Sequence, residues 1–183
     1  MGPTESLSQD HRTIERLLDA LELAARRLHK GEAVRAEFFI DAAQFISGFA
    51  DGCHHRKEEG ALFPAMGEAG FPTEAGPIAV MLSEHEQGRS FTRAMRAAAQ
   101  ELVSGNEAAA GKVIDNAHGY VSLLRQHIMK EDNILFQMAR SALDAQRQQE
   151  LMKDFERLER EEGEGVREKY LALLDALERE QQV

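Results

Sequence analysis

Cysteine is almost missing from this chain of 183 residues. Cys53 stands alone, so no internal disulfide can form, and the chain suits a reducing compartment. Proline is scarce too, with four in the whole chain, so long helices meet few interruptions. No apolar run is long enough to span a bilayer and no signal-peptide pattern opens the chain, so a cytoplasmic protein without membrane contact is expected. Basic residues are outnumbered, 22 against 32 acidic, and the net charge of −10 sets aside nucleic acid and anionic membrane surfaces as partners. β-branched residues never alternate over a useful stretch, so no strand is expected. Tryptophan is absent and tyrosine occurs twice, which leaves nine Phe to supply bulk for a core.

What is present is helical periodicity. Gly31 closes a first pattern. Pro64, Gly67, Gly70 and Pro72 form a loop after a second. Gly76-Pro77 opens a third, and Ser104-Gly105-Asn106 separates it from a fourth. Pro3 stands ahead of the first. Four helices are predicted over roughly 6–30, 34–66, 77–104 and 107–143. Their short connections predict an all-α, up-down antiparallel four-helix bundle over residues 1–143. Residues 144–183 differ. They are rich in Glu, Arg and Gln, carry apolar residues at Leu151, Phe155, Leu158, Tyr170, Leu173, Leu174 and Leu177, and are interrupted at Gly163 and Gly165. One or two amphipathic helices are expected there, lying on the bundle or on a second subunit. Monomer and homodimer are both open.

Two segments repeat one pattern: His54 with Glu58 before Leu62-Phe63, and His127 with Glu131 before Leu135-Phe136. Residues four apart on a helix share a face. At about 100° per residue, His54 and Glu58 fall beside the apolar stripe Phe39, Ala43, Ile46 and Ala50, and His55 with Glu59 falls toward the rim or solvent. His127 and Glu131 share a stripe with Tyr120, Leu124 and Leu135. His11 lies beside Leu7, Ile14, Leu18 and Leu21, and His85 on the stripe of Ile78, Met81 and Met95. Each helix therefore offers one inward imidazole, and two helices add a carboxylate.

Such a set is awkward in an apolar core unless a metal is present. Taken singly, each residue has a plainer reading, a satisfied histidine or a solvated pair. Six together do not. The expected ligands are His11, His54, Glu58, His85, His127 and Glu131. Two carboxylates can bridge two cations, so the reading is a pair of iron ions with an oxo or hydroxo bridge, manganese and zinc being the other ions that suit these donors. A ferritin-type site uses Glu-x-x-His on two helices, and that motif is nowhere in the chain. His29 sits in a last helical turn, where a dipole contact explains it. His118 should face out, and Cys53 should pack as a small apolar residue. Tyr120, on the His127 face, is read as core first and as a donor to the site second.

Asp10-His11, the His54…Glu58-Glu59…Leu62-Phe63-Pro64 run, the Gly76-Pro77-Ile78…Ser83-Glu84-His85 run and the His127…Glu131…Leu135-Phe136 run resemble, in order, the motifs of the hemerythrin-like, or HHE cation-binding, family. The resemblance covers about 6–140 and implies a four-helix bundle with a non-haem di-iron centre. Oxygen-carrying hemerythrins place a second His four residues after that of the third helix; here Arg89 stands there. Their last carboxylate is usually an Asp five residues after its His; here it is Glu131, four after. The pattern is closer to the bacterial iron-centre repair proteins, with four His and two Glu, although those carry an N-terminal Cys-containing segment. The resemblance implies binding of a small oxidant or gas (dioxygen, nitric oxide or peroxide) for sensing or protection in the stress response. Iron storage or delivery for repair of iron-sulfur centres, and enzymatic turnover of peroxide or nitric oxide, are its alternatives.

Overall fold

The computed structural model describes residues 2–181. Among these, all regular structure is helical: α1 (Pro3–His29), α2 (37–68), α3 (Gly76–Val103), α4 (110–142), α5 (Ala145–Glu162) and α6 (Val166–Gln181). Helix α1 packs on α2 and α4, and α3 does the same, so the four close into a bundle. Pro3 is the first residue of α1 rather than a residue ahead of it. Its fixed φ suits the first turn, where its missing N–H would have no helical partner anyway. Helix α2 carries on through Pro64 and Gly67 to Glu68 instead of breaking into a loop. Pro64 sits in the first turn of the α-helical piece Phe63–Glu68, directly after a π-helical stretch. The missing donor falls where the ordinary hydrogen-bond ladder is already interrupted.

Three stretches are π-helical, with bonds reaching to the fifth residue: Ile46–His55 and Glu58–Leu62 in α2, and Glu131–Leu135 in α4. They mark the level at which the core divides. One apolar half holds Leu17 and Leu21 of α1, Phe38 and Phe45 of α2, Met95 of α3 and Val113 of α4. The other holds Leu7 of α1, Leu62 and Phe63 of α2, Ile78 of α3 and Phe136 of α4. His11, His54, Glu58, His85 and Glu131 lie between these halves on their helices, as a buried polar layer.

The last two helices lie on the bundle, one on each half. Leu151 and Phe155 of α5 join the second apolar half, and Leu174 and Leu177 of α6 join the first. Burying a Leu or Phe side chain is worth about 1.5–3 kcal/mol, so these four anchor α5 and α6. Asp144 caps α5 by accepting from the Arg147 N–H at 2.8 Å. Gly163 and Gly165, at φ of 116° and 77°, make the turn into α6, a backbone region that L side chains avoid. Close approach matters as well: a Cβ on Gly48 of α2 would overlap the Tyr170 ring of α6.

Candidate metal centre

The structure brings all six sequence-predicted residues into one buried layer. His11, Glu58 and Glu131 are fully buried, and His54, His85 and His127 are at most 2% exposed. His11 Nε2 is 3.1 Å from both His54 Nε2 and Glu131 Oε2. His85 Nε2 and His127 Nε2 are also 3.1 Å apart. Between these pairs stand the carboxylates. Glu58 turns Oε1 toward His54 Nε2 and Oε2 toward His85 Nε2, each at 3.5 Å. Glu131 Oε2 is 3.3 Å from His127 Nε2 as well as facing His11. Each carboxylate thus reaches one imidazole of either pair.

Behind each imidazole stands an acid from the preceding helix of the ring. Asp132 of α4 is 2.9 Å from His11 Nδ1 of α1. Asp10 of α1 is 3.7 Å from His54 Nδ1 of α2. Glu59 of α2 is 2.7 Å from His85 Nδ1 of α3, and Glu84 of α3 is 3.0 Å from His127 Nδ1 of α4. All four acids are sequence neighbours of an expected ligand: Asp10-His11, Glu58-Glu59, Glu84-His85 and Glu131-Asp132. At His11, His85 and His127 the acid is within hydrogen-bond reach of Nδ1, so it places that proton, fixes the tautomer and leaves Nε2 free as a donor of its lone pair. Asp10 is too far from His54 Nδ1 for a hydrogen bond and acts as a neighbouring charge. The acids are held in turn. Lys57 and Arg167 donate to Asp10 at 2.9 and 2.6 Å, Arg89 to Glu59 at 2.6 Å, Ser8 to Asp132 at 2.7 Å, and Lys130 to Glu84.

The electrostatics of the layer are strained. Burial, followed by the charge of Glu131, pushes the Glu58 carboxyl well above the usual carboxylate range. Burial would raise Glu131 too, but His127 and His11 outweigh it and bring it down to about 2. Burial opposes a charge on His11, yet its bonds to Asp132 and Glu131 lift it to about 9. Burial wins at His54, which falls to about 4. Both oxygens of Glu58 and Oε1 of Glu131 have no hydrogen-bond partner among the described residues. A buried unsatisfied polar group costs about 1–3 kcal/mol. Cations would turn these orphaned oxygens and the converging Nε2 atoms into ligands, and the mixed imidazole and carboxylate donors fit a di-iron-type site.

One expectation is overturned. His55 does not face the rim; it is 3% exposed and its ring stacks on His85 with centroids 3.8 Å apart. The outward phase of His55 holds only for a helix of 3.6 residues per turn. The π-helical segment Ile46–His55 has wider turns, so consecutive residues are less than 100° apart and both His54 and His55 enter the bundle. His118 is exposed, as expected, and His29 is exposed in the last turn of α1. Cys53 is buried, and burial pushes its thiol up to about 11, so it stays protonated. Tyr120 is 1% exposed, with a hydroxyl that has no partner among the described residues. The four supporting acids were not among the expected site residues, although an acid beside a ligand on every helix was a readable signal.

No helix of the described residues is long and apolar enough to cross a membrane. No solved structure matches the chain. Uncharacterized proteins of Mycobacterium bovis and of two strains of Mycobacterium tuberculosis are each 26% identical to it over 152 residues, 83% of this chain and 59% of the relative. The chain thus spans under two thirds of the length of the relatives it matches. The family described as Hemerythrin HHE cation binding domain matches residues 2–139, which takes in α1 to α3 and nearly all of α4 with every residue of the polar layer. The chain belongs to the hemerythrin HHE cation binding domain family.

Proposed function

We propose that this chain holds a pair of iron ions and uses them to bind a small oxidant or gas, dioxygen, nitric oxide or peroxide, for sensing or protection. His11 and His54 serve one ion, His85 and His127 the other, and Glu58 and Glu131 bridge them. The observation that carries this reading is the placement of Glu58, fully buried, with one oxygen toward His54 and the other toward His85. Bound there, a non-haem iron pair supplies reversible redox change and coordination positions open to diatomic ligands and peroxide.

The protein's own groups prepare the site. Asp132, Glu59 and Glu84 set the tautomers of His11, His85 and His127 and raise their basicity toward a cation. The two apolar halves of the core shut water out above and below the layer, which keeps charge interactions strong inside it. Gly88 is buried one turn from His85, and the space a Cβ would take there is bounded by Leu124 and Tyr120 at 3.5 and 3.6 Å. The depth of all six residues favours a resident metal pair over iron passed to an acceptor.

Metal analysis of the purified protein, joined to absorption spectra taken anaerobically, in air, and with nitric oxide or peroxide, tests the reading. The expected result is close to two irons per chain and a spectrum that changes reversibly with one of these ligands. A single ion, or two ions whose spectrum no ligand alters, overturns it.

A further inference from the structure

We infer that His55 is a seventh ligand, which gives one ion a third imidazole and makes the two ions inequivalent; the inference rests on the metal-pair reading above. One ligand atom each from His55, Glu58, His85 and His127 lies within 4.8 Å of the others. The second group of this kind is His11, His54, Glu58 and Glu131. Glu58 belongs to both, as a bridging carboxylate should. His55 belongs to one alone.

The His55 ring is prepared in the same manner as those of His11, His85 and His127. Its Nδ1 is 2.9 Å from Asp51 Oδ1, so the proton sits there and Nε2 carries the lone pair. That Nε2 is buried and has no hydrogen-bond partner among the described residues. A histidine kept for packing has no use for a buried, bare nitrogen beside two other imidazoles, since an apolar side chain would fill the space without the unsatisfied group. Its centroid is 3.8 Å from that of His85, 5.9 Å from that of His127 and 5.4 Å from that of its chain neighbour His54, so it is the ligand-atom grouping that assigns it to the side of His85 and His127.

Arg89 ties this half together. Its Nε is 3.2 Å from Asp51 Oδ1, behind His55, and its Nη2 donates at 2.6 Å to Glu59, behind His85. One guanidinium therefore orients the acids of two imidazoles, which its planar fork suits. His55, His85 and His127 face one ion and His11 and His54 the other, with Glu58 and Glu131 shared. The ion beside His11 and His54 has one protein donor fewer.

Ferrous iron alone is the probe, and the whole chain is the sample. The protein is loaded without oxygen with Mössbauer-active iron, its ions are counted, and the spectrum is recorded. Wild type should show two quadrupole doublets of equal area. His55→Ala, and His55→Phe, which keeps the ring bulk, should change one doublet, leave the other in place and weaken the uptake of one ion. Asp51→Ala should weaken that ion by roughly 10–100-fold. Free imidazole added to His55→Ala should return the changed doublet to its wild-type form. Far-ultraviolet circular dichroism shows whether each variant keeps its helices, and a variant that does not is judged on the other two. Two ions with wild-type affinity and unchanged doublets in the folded variants overturn the inference while the metal pair stands. A wild-type chain that takes up no iron overturns both.

Discussion

Glu84 is the sequence neighbour of His85 but holds His127, with its Oε2 3.0 Å from His127 Nδ1. The same displacement recurs around the bundle, each helix supporting an imidazole on the next. Glu84→Ala should therefore weaken metal binding by roughly 10–100-fold through His127, a ligand on another helix. Isothermal titration with ferrous iron, paired with a thermal melt, checks it. Unchanged affinity would show that the acid is no support for the site.

Lys57 and Asp10 form the most buried charge pair outside the imidazole contacts, with both side chains 1% exposed and 2.9 Å between Nζ and Oδ2. Removing Lys57 leaves Asp10 with Arg167 as its remaining charged donor, at 2.6 Å. Lys57→Met should therefore cost about 1.5–3 kcal/mol in denaturant unfolding, the worth of one hydrogen bond to a charged group. The double substitution Lys57→Met with Asp10→Asn should recover part of that loss, and a strictly additive cycle would argue that the two do not act as a pair.

Glu58→Gln keeps shape but gives an amide, a poor bridge. If the metals hold α2 and α4 together, binding adds to folding stability, because the unfolded chain has no preformed site. The metal-loaded wild type should melt well above its metal-free form, and Glu58→Gln should lose most of that difference while its metal-free melt stays close to wild type. Equal melts for loaded and metal-free wild type would remove the cluster from the stability account.

Among the histidines, His54→Ala and His127→Ala should lower metal occupancy. His29→Ala and His118→Ala, at exposed positions, should leave it unchanged. Elemental analysis of the four purified variants separates the two pairs, and a loss in either exposed variant would contradict the assignment.

Gly48 lies beneath Tyr170, so Gly48→Val should push the ring and α6 away from α2. A cost of about 1–3 kcal/mol is expected for such overpacking. Limited proteolysis should then cut faster between α5 and α6 than in wild type. An unchanged cleavage rate would mean that α6 has other anchors strong enough to hold it.

Much of this was legible in the residues. Helical period placed His11, His85 and His127 on apolar stripes, and the repeated His and Glu spacing drew attention to Glu58 and Glu131. Gly163 and Gly165 marked the turn between α5 and α6. Two things were not legible by those means. A π-helical stretch leaves no periodic trace of its own, so His55 was assigned outward by arithmetic that holds only for α-turns. The supporting acids pair across helices, and a spacing rule within one helix cannot say that Asp132 meets His11 or that Glu59 meets His85.

The wide turns of α2 also bear on how the molecule breathes. Residues 46–62 have little reason to form such a helix alone: the hydrogen bonds reach to the fifth residue, and Gly48, Gly52 and Gly60 lie within it. The Phe-rich start of α2 and its end at Phe63–Glu68 are each bedded in an apolar half of the core. In metal-free protein the middle of α2 should therefore open more often than its two ends, a helix that frays from within. Amide hydrogen exchange should show faster exchange across 46–62 than across 37–45, and added metal should slow the middle far more than the ends.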